Sequence, residues 1–329
     1  MEISDRSWFE DRYRFYKEKV DSYIRNLSSR GDIPEELRKS SYHLILSGGK
    51  RIRPVILMAI VDMLGGDIDE AIHASVSIEL LHNFTLIHDD IMDGDEFRRG
   101  VKTVHTLFGE SLAILAGDYL FSLVFKLLST NYDDYRARRL TEIYSKASEK
   151  ICIGQAMDIN PERHIRSVDD YLNMVYLKTG ALIEAASEAG AVISGVDEKV
   201  VRDISLAGRN MGIAFQIADD LLGIIGDPKK TGKPVGNDIR NGKMTLPVIY
   251  SLSRMDDVDR MKFKQVFGRD VNDYTVAVKL IEIYGGIEYS RSVMRRYAEE
   301  AIRIISTYGS GDSRRFIIEL IKFIVSRDR

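Results

Sequence analysis

Helical periodicity runs through most of the chain and limits the possible folds more than any other feature of the sequence. Apolar residues recur at three- and four-residue spacing, and no run of alternating, strand-like residues interrupts them. Proline opens and glycine closes two of the predicted helices, with Pro34 and Gly48 bounding one and Pro54 and Gly65 the next. The sequence therefore predicts an all-α fold.

The remaining helices follow from the same pattern. The segment Asp67–Glu70 resembles a capping box before an apolar stretch that ends near Asp93. Further helices are predicted at about 109–129, 134–159, 167–194 and 197–226, and, after a loop at 227–244, at 245–254, 258–267, 271–284, 286–308 and 312–327. Because no linker or internal repeat divides these helices, we expect a single domain over residues 1–329.

Composition excludes several classes of protein. The formal net charge of −3 gives no general nucleic-acid footprint. The single cysteine, Cys152, rules out an intrachain disulfide and a Cys₄ zinc site, and we expect it to be buried or semi-buried. The first residues lack the apolar region of a signal peptide, and no apolar window suggests a membrane span, so we expect a cytoplasmic protein.

Two aspartate pairs lie within apolar helices. Asp89 and Asp93 are four residues apart, so their carboxylates share a helix face and repel each other unless a cation lies between them. Asp219 and Asp220 form a second pair in a similar setting. Hard oxygen ligands suit Mg²⁺ or Mn²⁺, and Mg²⁺ usually completes its shell with substrate phosphates. Facing helices with these pairs would form an acidic cleft for a diphosphate, whereas a solvated helix end is the alternative for Asp93.

Basic segments accompany the acidic pairs. Lys50 and Arg53 flank a glycine turn that enters a helix N-terminus, which favours anions. Arg98 and Arg99 follow the first acidic pair, and arginine binds phosphate oxygens in a bidentate manner. The remaining candidates are Lys178 with Thr179, Lys233 and Lys243. Each lysine alone is more simply a surface charge, but together these residues suit a site for two diphosphates.

The motifs in combination resemble those of the trans-isoprenyl diphosphate synthases, or polyprenyl synthetases, over about residues 40–250. The residues that carry the resemblance are Gly48 to Pro54, Leu80 to Asp93, Arg98 to Gly100, Gly154-Gln155, Lys178-Thr179, Phe215 to Asp220 and Gly232 to Asp238. The resemblance implies a homodimeric all-α bundle around a central cavity. It also implies head-to-tail condensation of isopentenyl diphosphate with an allylic diphosphate.

The resemblance also implies roles for individual residues. Asp89, Asp93 and Asp219 would ligate about three Mg²⁺ ions, for which Mn²⁺ is a possible substitute. Arg98, Lys178 and Lys233 would contact the allylic diphosphate, whereas Lys50, Arg53, His82 and Arg99 would hold isopentenyl diphosphate. Thr179, the Lys178 carbonyl and Gln216 would stabilise the allylic carbocation.

One position departs from the family pattern. The second acidic motif usually ends in a third aspartate, but this chain has Gly223 there. Because the three proposed ligands do not include that position, we expect Gly223→Asp to change Mg²⁺ affinity only modestly.

Product length is predicted from the residues before Asp89. The spacing Asp-Asp-Ile-Met-Asp, with Phe84 and Thr85 five and four residues earlier, resembles archaeal-type geranylgeranyl diphosphate synthases. Phe84 would limit the growing chain, and Leu81 one turn deeper would set the final stop; the alternative is that Phe84 is an ordinary core residue. Geranylgeranyl diphosphate is the expected product and farnesyl diphosphate the second choice.

Other functions compete with this interpretation. A class I terpene cyclase shares the first acidic motif and the helical bundle, but it would not need the set Lys50, Arg53 and Arg99. A non-catalytic regulatory subunit should have lost the metal-binding carboxylates, which are present here. A helical interaction protein would leave the aspartates in apolar helices unexplained.

Overall fold

The computed structural model of the protein describes residues 3–226, 236–271 and 273–326. These residues are helical apart from turns and one short β-ribbon, which confirms the predicted all-α fold. The helices up to residue 225 are α1 (Ile3–Ser28), α2 (Glu35–Leu46), α3 (Ile52–Met63), α4 (Ile72–Asp93), α5 (Val104–Phe108), α6 (Glu110–Thr130), α7 (Asp134–Ile159), α8 (Pro161–His164), α9 (Val168–Val175), a π-helix (Tyr176–Gly180), α10 (Ala181–Ile193) and α11 (Glu198–Ile225). The later helices are α12 (Asn237–Arg240), α13 (Leu246–Leu252), α14 (Asp257–Lys264), α15 (Thr275–Ile283), α16 (Gly286–Ile305) and α17 (Gly311–Val325).

The chain divides into two compact units. The first comprises Met1–Ser148, Ala185–Ile204 and Tyr308–Ile317, and the second comprises Glu149–Glu184, Ser205–Thr307 and Ile318–Arg329. Helices α7, α10, α11 and α17 contribute residues to both units. The single domain expected over residues 1–329 stays a prediction.

The core of the first unit is built on α3 and α4. Every residue of α3 is buried except Arg53 and Asp62, as expected for a helix that is apolar on all sides. Helix α4 packs on α3 and, more extensively, on α6. The N-terminal half of α4 is therefore fixed in the core, while its C-terminal turns carry the first aspartate pair.

Helix α1 was not predicted from the sequence. It buries one stripe, formed by Tyr16, Val20, Ile24 and Leu27, at helical spacing. The ring of Phe9 stacks on that of Phe316 from α17 at 5.1 Å, and Ser313 accepts a hydrogen bond from Arg12. The C-terminal segment thus covers α1 within the first unit.

The second unit is organised around α13, which packs on α9 and α16. The rings of Tyr250 and Tyr289 stack at 3.9 Å between α13 and α16. Phe263 of α14 is fully buried and stacks on Phe267. These contacts hold the shorter C-terminal helices together.

A two-stranded ribbon follows α4. Strand β1 (Phe97–Arg98) pairs antiparallel with β2 (Val101–Lys102), so the connecting residues are Arg99 and Gly100. Both have positive φ, at 54° and 78°, as in the tight turns that match the twist of a hairpin. This ribbon, which was not predicted from the sequence, fixes the two adjacent arginines in different orientations.

Two local predictions were wrong. Helix α4 begins after Ala71 without a side-chain cap, and Asp67 instead accepts a hydrogen bond from the backbone of Asp69. Cys152 is exposed, because it lies on a solvent-facing position of α7. Neither error changes the assignment of the helices.

One described helix, α6, is long and apolar enough to span a membrane by length and composition alone. Its inward residues, among them Leu120, Val124 and Leu128, are buried in the first unit. On the opposite side Ile114 and Leu115 are 43% and 55% exposed. The helix therefore has a core face and an uncovered apolar face.

Candidate active site

The first aspartate pair lies in the last turns of α4. Asp89 is half-buried and Asp93 is exposed, whereas Asp90 between them is fully buried. The guanidinium of Arg98 donates to Oδ1 of Asp90, and Oδ2 has no hydrogen-bond partner among the described residues. Burial raises the pKa of Asp90, and Arg98 opposes that shift. Asp90 therefore anchors Arg98, while Asp89 and Asp93 lie on the less buried face.

The carboxylates fit a hard divalent cation that is completed by a ligand. Asp89 and Asp93 are one turn apart on one helix, and their oxygens are the donors that Mg²⁺ prefers. In the parts of the chain that the structure describes, no three His, Cys, Asp or Glu side chains are grouped to hold a metal. A Mg²⁺ ion here would need oxygens from water or a bound phosphate.

A cationic cluster surrounds His82, two turns before Asp89 on α4. We use this name for Arg51, Arg53, Arg98 and Arg99. Removal of His82 from water, together with the four positive charges, holds the pKa of His82 well below its usual value. His82 is therefore neutral in the folded protein, and the surrounding charge favours an anion.

Arg51 has a structural role within this cluster. Its side chain is 3% exposed and pairs with Asp21 at 2.8 Å and Glu79 at 2.9 Å. It also donates to the carbonyl of Ile45, and its φ of 53° begins α3. Since Asp21 and Glu79 neutralise Arg51 and Asp90 pairs with Arg98, these two arginines contribute less to the excess positive charge than Arg53 and Arg99.

The glycine turn before α3 accommodates the arginines. Arg99 donates to the carbonyl of Gly48. A β-carbon on Gly49 would lie 2.9 Å from Nη1 of Arg99 and 3.0 Å from Nη1 of Arg51. The φ of Gly49, at 150°, favours glycine, and the ends of two guanidinium groups lie beside it. The β-ribbon turn brings Arg99 to the segment that contains Lys50.

In the second unit, the π-helix carries Lys178 and Thr179. A β-carbon on Gly154 of α7 would lie 2.4 Å from the Lys178 nitrogen, and one on Gly212 of α11 would lie 2.5 Å from the Cα of Gly180. Such close backbone approach needs glycine on both neighbouring helices. A π-helical turn is wider than an α-turn, and such turns occur frequently at functional sites.

A polar cluster anchors the π-helix. The Lys150 ammonium bonds the hydroxyl of Tyr176 and the carboxylate of Glu184, the latter at 2.8 Å, and Tyr176 also bonds Glu184 at 2.7 Å. The guanidinium of Arg209 lies 4.0 Å above the Tyr176 ring. The turn that presents Lys178 and Thr179 is therefore held by charged groups.

A cavity of about 70 Å³ lies beside this turn. Its polar lining consists of Asp158, Tyr171, Lys178, Thr179, Gln216, Asp220, Lys243 and Thr245, and its apolar lining of Met174, Val175 and Met244. Lys178 forms an ion pair with Asp158. The cavity combines lysines with carboxylates and hydroxyls, and it includes four predicted residues: Lys178, Thr179, Gln216 and Lys243.

A hydrogen-bonded relay crosses the cavity lining. The Thr179 hydroxyl bonds Gln216 Oε1 at 2.8 Å, and Gln216 Nε2 donates to Asp220 Oδ1 at 2.7 Å. The hydroxyl of Tyr171 donates to Asp220 Oδ2. Asp219, the predicted metal ligand, is half-buried on the same helix as Asp220.

Asp238 occupies the space beside Gly223. A β-carbon on Gly223 would lie 1.9 Å from Asp238 Oδ2. Burial, and then the charge of Asp238, raise the pKa of Asp220 to about 7, against the lowering effect of its bonds to Tyr171 and Gln216. The Lys243 ammonium lies 3.8 Å from Asp238 Oδ1. A carboxylate from α12 thus lies against the position where the family pattern has its third aspartate.

The remaining predicted residues can be located individually. Lys233 lies outside the described residues. Phe84 is half-buried, with its ring 4.8 Å from that of His88 and 5.0 Å from that of Phe121. The hydroxyl of Thr85 bonds the His82 carbonyl at 2.8 Å, and Leu81 is fully buried. Their roles in chain length stay predictions.

Sequence reasoning missed three residues that the structure adds. Asp158 could have been found from its spacing, because it lies four residues after Gly154 on one helix. Asp238 belongs to a motif that was recognised, yet the sequence gives no sign that it would approach Gly223. Tyr171 is a single tyrosine in an amphipathic helix, and no local signal distinguishes it from a core residue.

Comparison with known proteins identifies the relatives. The Polyprenyl synthetase family model matches residues 34–284. The geranylfarnesyl diphosphate synthase of Aeropyrum pernix is 43% identical over 319 residues, which cover 94% of this chain and 99% of that protein. The crystal structure of geranylgeranyl pyrophosphate synthetase from Pyrococcus horikoshii has a TM-score of 0.92 at 39% identity, covering 98% of this chain and 99% of that one. The crystal structure of polyprenyl synthase from Caulobacter crescentus, complexed with calcium and isoprenyl diphosphate, has a TM-score of 0.85 at 31% identity. The match covers 97% of this chain and 98% of that one.

The fold and these matches define the chain as a prenyltransferase with the all-α isoprenoid synthase fold. It belongs to the polyprenyl synthetase family. The resemblance found in the motifs of residues 40–250 is confirmed and extends over nearly the whole chain.

Proposed function

We propose that this prenyltransferase condenses isopentenyl diphosphate head-to-tail with allylic diphosphates and that its main product is geranylgeranyl diphosphate. The observation that carries the proposal is the arrangement along α4. His82, within its cationic cluster, precedes Asp89 by two turns, or about 10 Å at 1.5 Å per residue. One face of the helix therefore offers a metal-free anion site and a metal-binding site.

The two substrates would use these sites differently. Isopentenyl diphosphate would be held by Lys50, Arg53, His82 and Arg99, whose charge and hydrogen-bond donors match a diphosphate without metal. The allylic diphosphate would be held through Mg²⁺ on Asp89, Asp93 and Asp219. Bound there, Mg²⁺ would neutralise the leaving diphosphate as its bond to carbon breaks.

The chain's own residues would handle the charge that forms next. Lys178, paired with Asp158, would contact the leaving group, together with Arg98 and Lys233. The oxygens of Thr179 and Gln216 would face the allylic carbocation as dipoles. The double bond of isopentenyl diphosphate attacks that carbocation, a proton passes to the released diphosphate, and the product is five carbons longer. The apolar cavity residues would exclude water, which would otherwise quench the cation.

A class I terpene cyclase binds a single diphosphate. If this chain were a cyclase, the cationic cluster around His82 would have no second diphosphate to bind. Relatives named for geranylgeranyl, geranylfarnesyl and farnesyl diphosphate support a short-chain condensation. Geranylgeranyl diphosphate is favoured because that name recurs most often among the archaeal relatives and because Phe84 lies at the expected position on α4.

The assembly we propose is a cytoplasmic homodimer. The uncovered apolar face of α6, with Ile114 and Leu115 at its start, supports it, because exposed apolar side chains on a core helix indicate an interaction surface.

The test is a condensation assay with labelled isopentenyl diphosphate and, in turn, dimethylallyl, geranyl and farnesyl diphosphate. We expect a C20 product from each starter in the presence of Mg²⁺, and no product in excess chelator. Asp89→Ala should lower turnover by several orders of magnitude, since metal stabilisation of a leaving group contributes many kcal/mol. Conversion of an allylic diphosphate to a hydrocarbon without isopentenyl diphosphate would instead identify a cyclase.

A further inference from the structure

The relay described above continues beyond the predicted catalytic groups to Tyr171. It runs from Thr179 through Gln216 and Asp220 to this tyrosine on α9. Tyr171 is fully buried, and its hydroxyl donates its hydrogen bond to Asp220. Two further helical segments, α11 and the π-helix, are therefore linked to α9 by three hydrogen bonds in series.

The geometry gives the direction of each bond. Gln216 presents its amino group to Asp220 Oδ1, which accepts, and Tyr171 donates to Oδ2. The carbonyl of Gln216 then faces Thr179, and the single hydroxyl proton of Thr179 is donated to it. Thr179 can offer the cavity only its oxygen lone pairs, and that is the polarity that stabilises a cation.

The Tyr171 hydroxyl is needed to hold Asp220 in this orientation. Asp220 is a buried carboxylate with a second one, Asp238, near it. Without the tyrosine donor, Oδ2 would lose its partner, and rotation of the carboxylate would release the Gln216 amide. An amide that is no longer held can turn over and present its amino group to Thr179.

We propose that Tyr171 is a positioning residue for the condensation. This proposal rests on the proposed function. Through Asp220 and Gln216 it orients the Thr179 hydroxyl so that lone pairs, and no proton, face the allylic carbocation. Its hydroxyl is bonded to Asp220, so we expect its removal to affect turnover more than substrate capture.

The test compares Tyr171→Phe with a matched control, Tyr144→Phe. Tyr144 is also fully buried, and its hydroxyl bonds one acceptor, the Ala74 carbonyl, at 2.6 Å in the other unit. Tyr171→Phe should lower kcat about tenfold, the scale of one hydrogen bond to a charged group, with the KM of isopentenyl diphosphate unchanged. Tyr144→Phe should leave kcat unchanged while lowering thermal stability to a similar extent. Equal kcat in both variants and wild type would overturn the proposal.

A double-mutant cycle with Thr179→Val separates positioning from general loosening. If Tyr171 acts through Thr179, then Tyr171→Phe should reduce kcat less than twofold in the Thr179→Val background. A full additional tenfold loss there would contradict the proposal. If Tyr171→Phe does not fold, a cycle that combines Asp220→Asn with Thr179→Val decides the question. Asparagine has nearly the same size as aspartate, so this change alters the hydrogen bonds of the relay without changing the packing. Wild-type protein without condensation activity would refute the proposed function itself, which is a different result.

Discussion

At the scale of single residues, neighbouring arginines in one short segment have different tasks. Arg51 is buried between Asp21 and Glu79, whereas Arg53 is half-buried and belongs to the charge around His82. The positions of these two cations at the start of α3 do not distinguish them. Burial does: it assigns Arg51 to stability, whereas substrate binding by Arg53 is a proposal.

Substitution of these arginines should have opposite effects. Arg51→Met leaves Glu79 buried without its cation, and we expect a loss of about 3–5 kcal/mol in the free energy of unfolding. Arg53→Ala should leave stability near wild type and mainly raise the KM of isopentenyl diphosphate. Urea unfolding and steady-state kinetics of both variants check this. Replacing Glu79 by Gln as well should restore part of the stability of Arg51→Met, and an equally unstable double variant would contradict the assignment.

Gly223 is a second position to which the structure adds a constraint. That Gly223→Asp changes Mg²⁺ affinity only modestly stays a prediction, but the new side chain would overlap Asp238. We now expect Gly223→Asp to be destabilised by about 1–3 kcal/mol, as for other overpacked sites. Thermal melting and Mn²⁺ titration with inorganic diphosphate measure the two effects. Adding Asp238→Ala to Gly223→Asp should restore part of the lost stability. Gly223→Ala alone should also be destabilised, because its β-carbon would overlap Asp238.

The raised pKa of Asp220 gives a pH dependence. The folded protein keeps a proton on Asp220 up to about pH 7, while the unfolded chain releases it near 3.8. Since Asp220 binds a proton in the folded state over that interval, its contribution to stability should fall as pH rises through it and level off above, whereas His82, with its lowered pKa, contributes in the opposite sense. Melting temperatures of wild type and Asp220→Asn, measured in chelator at several pH values, isolate the Asp220 contribution as the difference between the two curves. A difference that does not change with pH would contradict the assignment.

At the scale of elements, most helices could be predicted because their signals are local. Pro34, Pro54 and the glycines near residues 48 and 65 punctuate the chain, and the apolar spacing between them is helical. The π-helix could not be predicted, because it results from the packing of Gly154 and Gly212 against residues 176–180. The β-ribbon likewise depends on where Arg98 and Arg99 find partners.

The candidate site was predictable to a similar degree. Paired carboxylates and clustered cations are visible as sequence motifs, so α4 and the arginines around it were found. The relay to Tyr171 and the approach of Asp238 to Gly223 connect residues that are distant in sequence. Tertiary contacts of this kind leave no periodic signal in a single chain.

Helices α4 and α6 present a row of aromatic rings that bears on product length. Phe84 meets Phe121 at 5.0 Å, and Phe121 meets Phe125 at 5.1 Å. If the growing chain follows α4 away from the metals, Phe84 lies about 7.5 Å from Asp89 along the axis. Deeper on α4, Leu81 and Ser77 are fully buried and would form the final stop.

Phe84→Ala should shift the products to longer chains, because it removes a ring from this row. Its cost in stability should stay below the ~3–5 kcal/mol of a core Phe→Ala, since Phe84 is only half-buried. Product chromatography and thermal melting measure both. Phe263→Ala serves as the control, because that ring is fully buried in the second unit and should reduce stability without changing product length. Unchanged products from Phe84→Ala would make Phe84 an ordinary core residue.

At the scale of the whole molecule, the prediction concerns assembly. Leu115→Arg places a charge on the uncovered face of α6 and should convert the proposed dimer to monomer, as measured by light scattering after size exclusion. The control is Ile283→Arg on α15, where the replaced side chain is 74% exposed and should not affect assembly. A dimer that survives Leu115→Arg would place the interface elsewhere.

The π-helix has a consequence for how this chain can change during evolution. A π-turn holds one residue more than an α-turn, and each residue advances a helix by about 100°. Beyond it, α10 is buried on all sides except at Glu184 and Glu188, which are half-buried. Because the wide turn takes up that residue, deleting one residue from Tyr176–Gly180 would leave an ordinary α-turn and keep both carboxylates of α10 on the same face. The extra residue can therefore be lost without unfolding α10, and what the loss would change is the turn that presents Lys178 and Thr179.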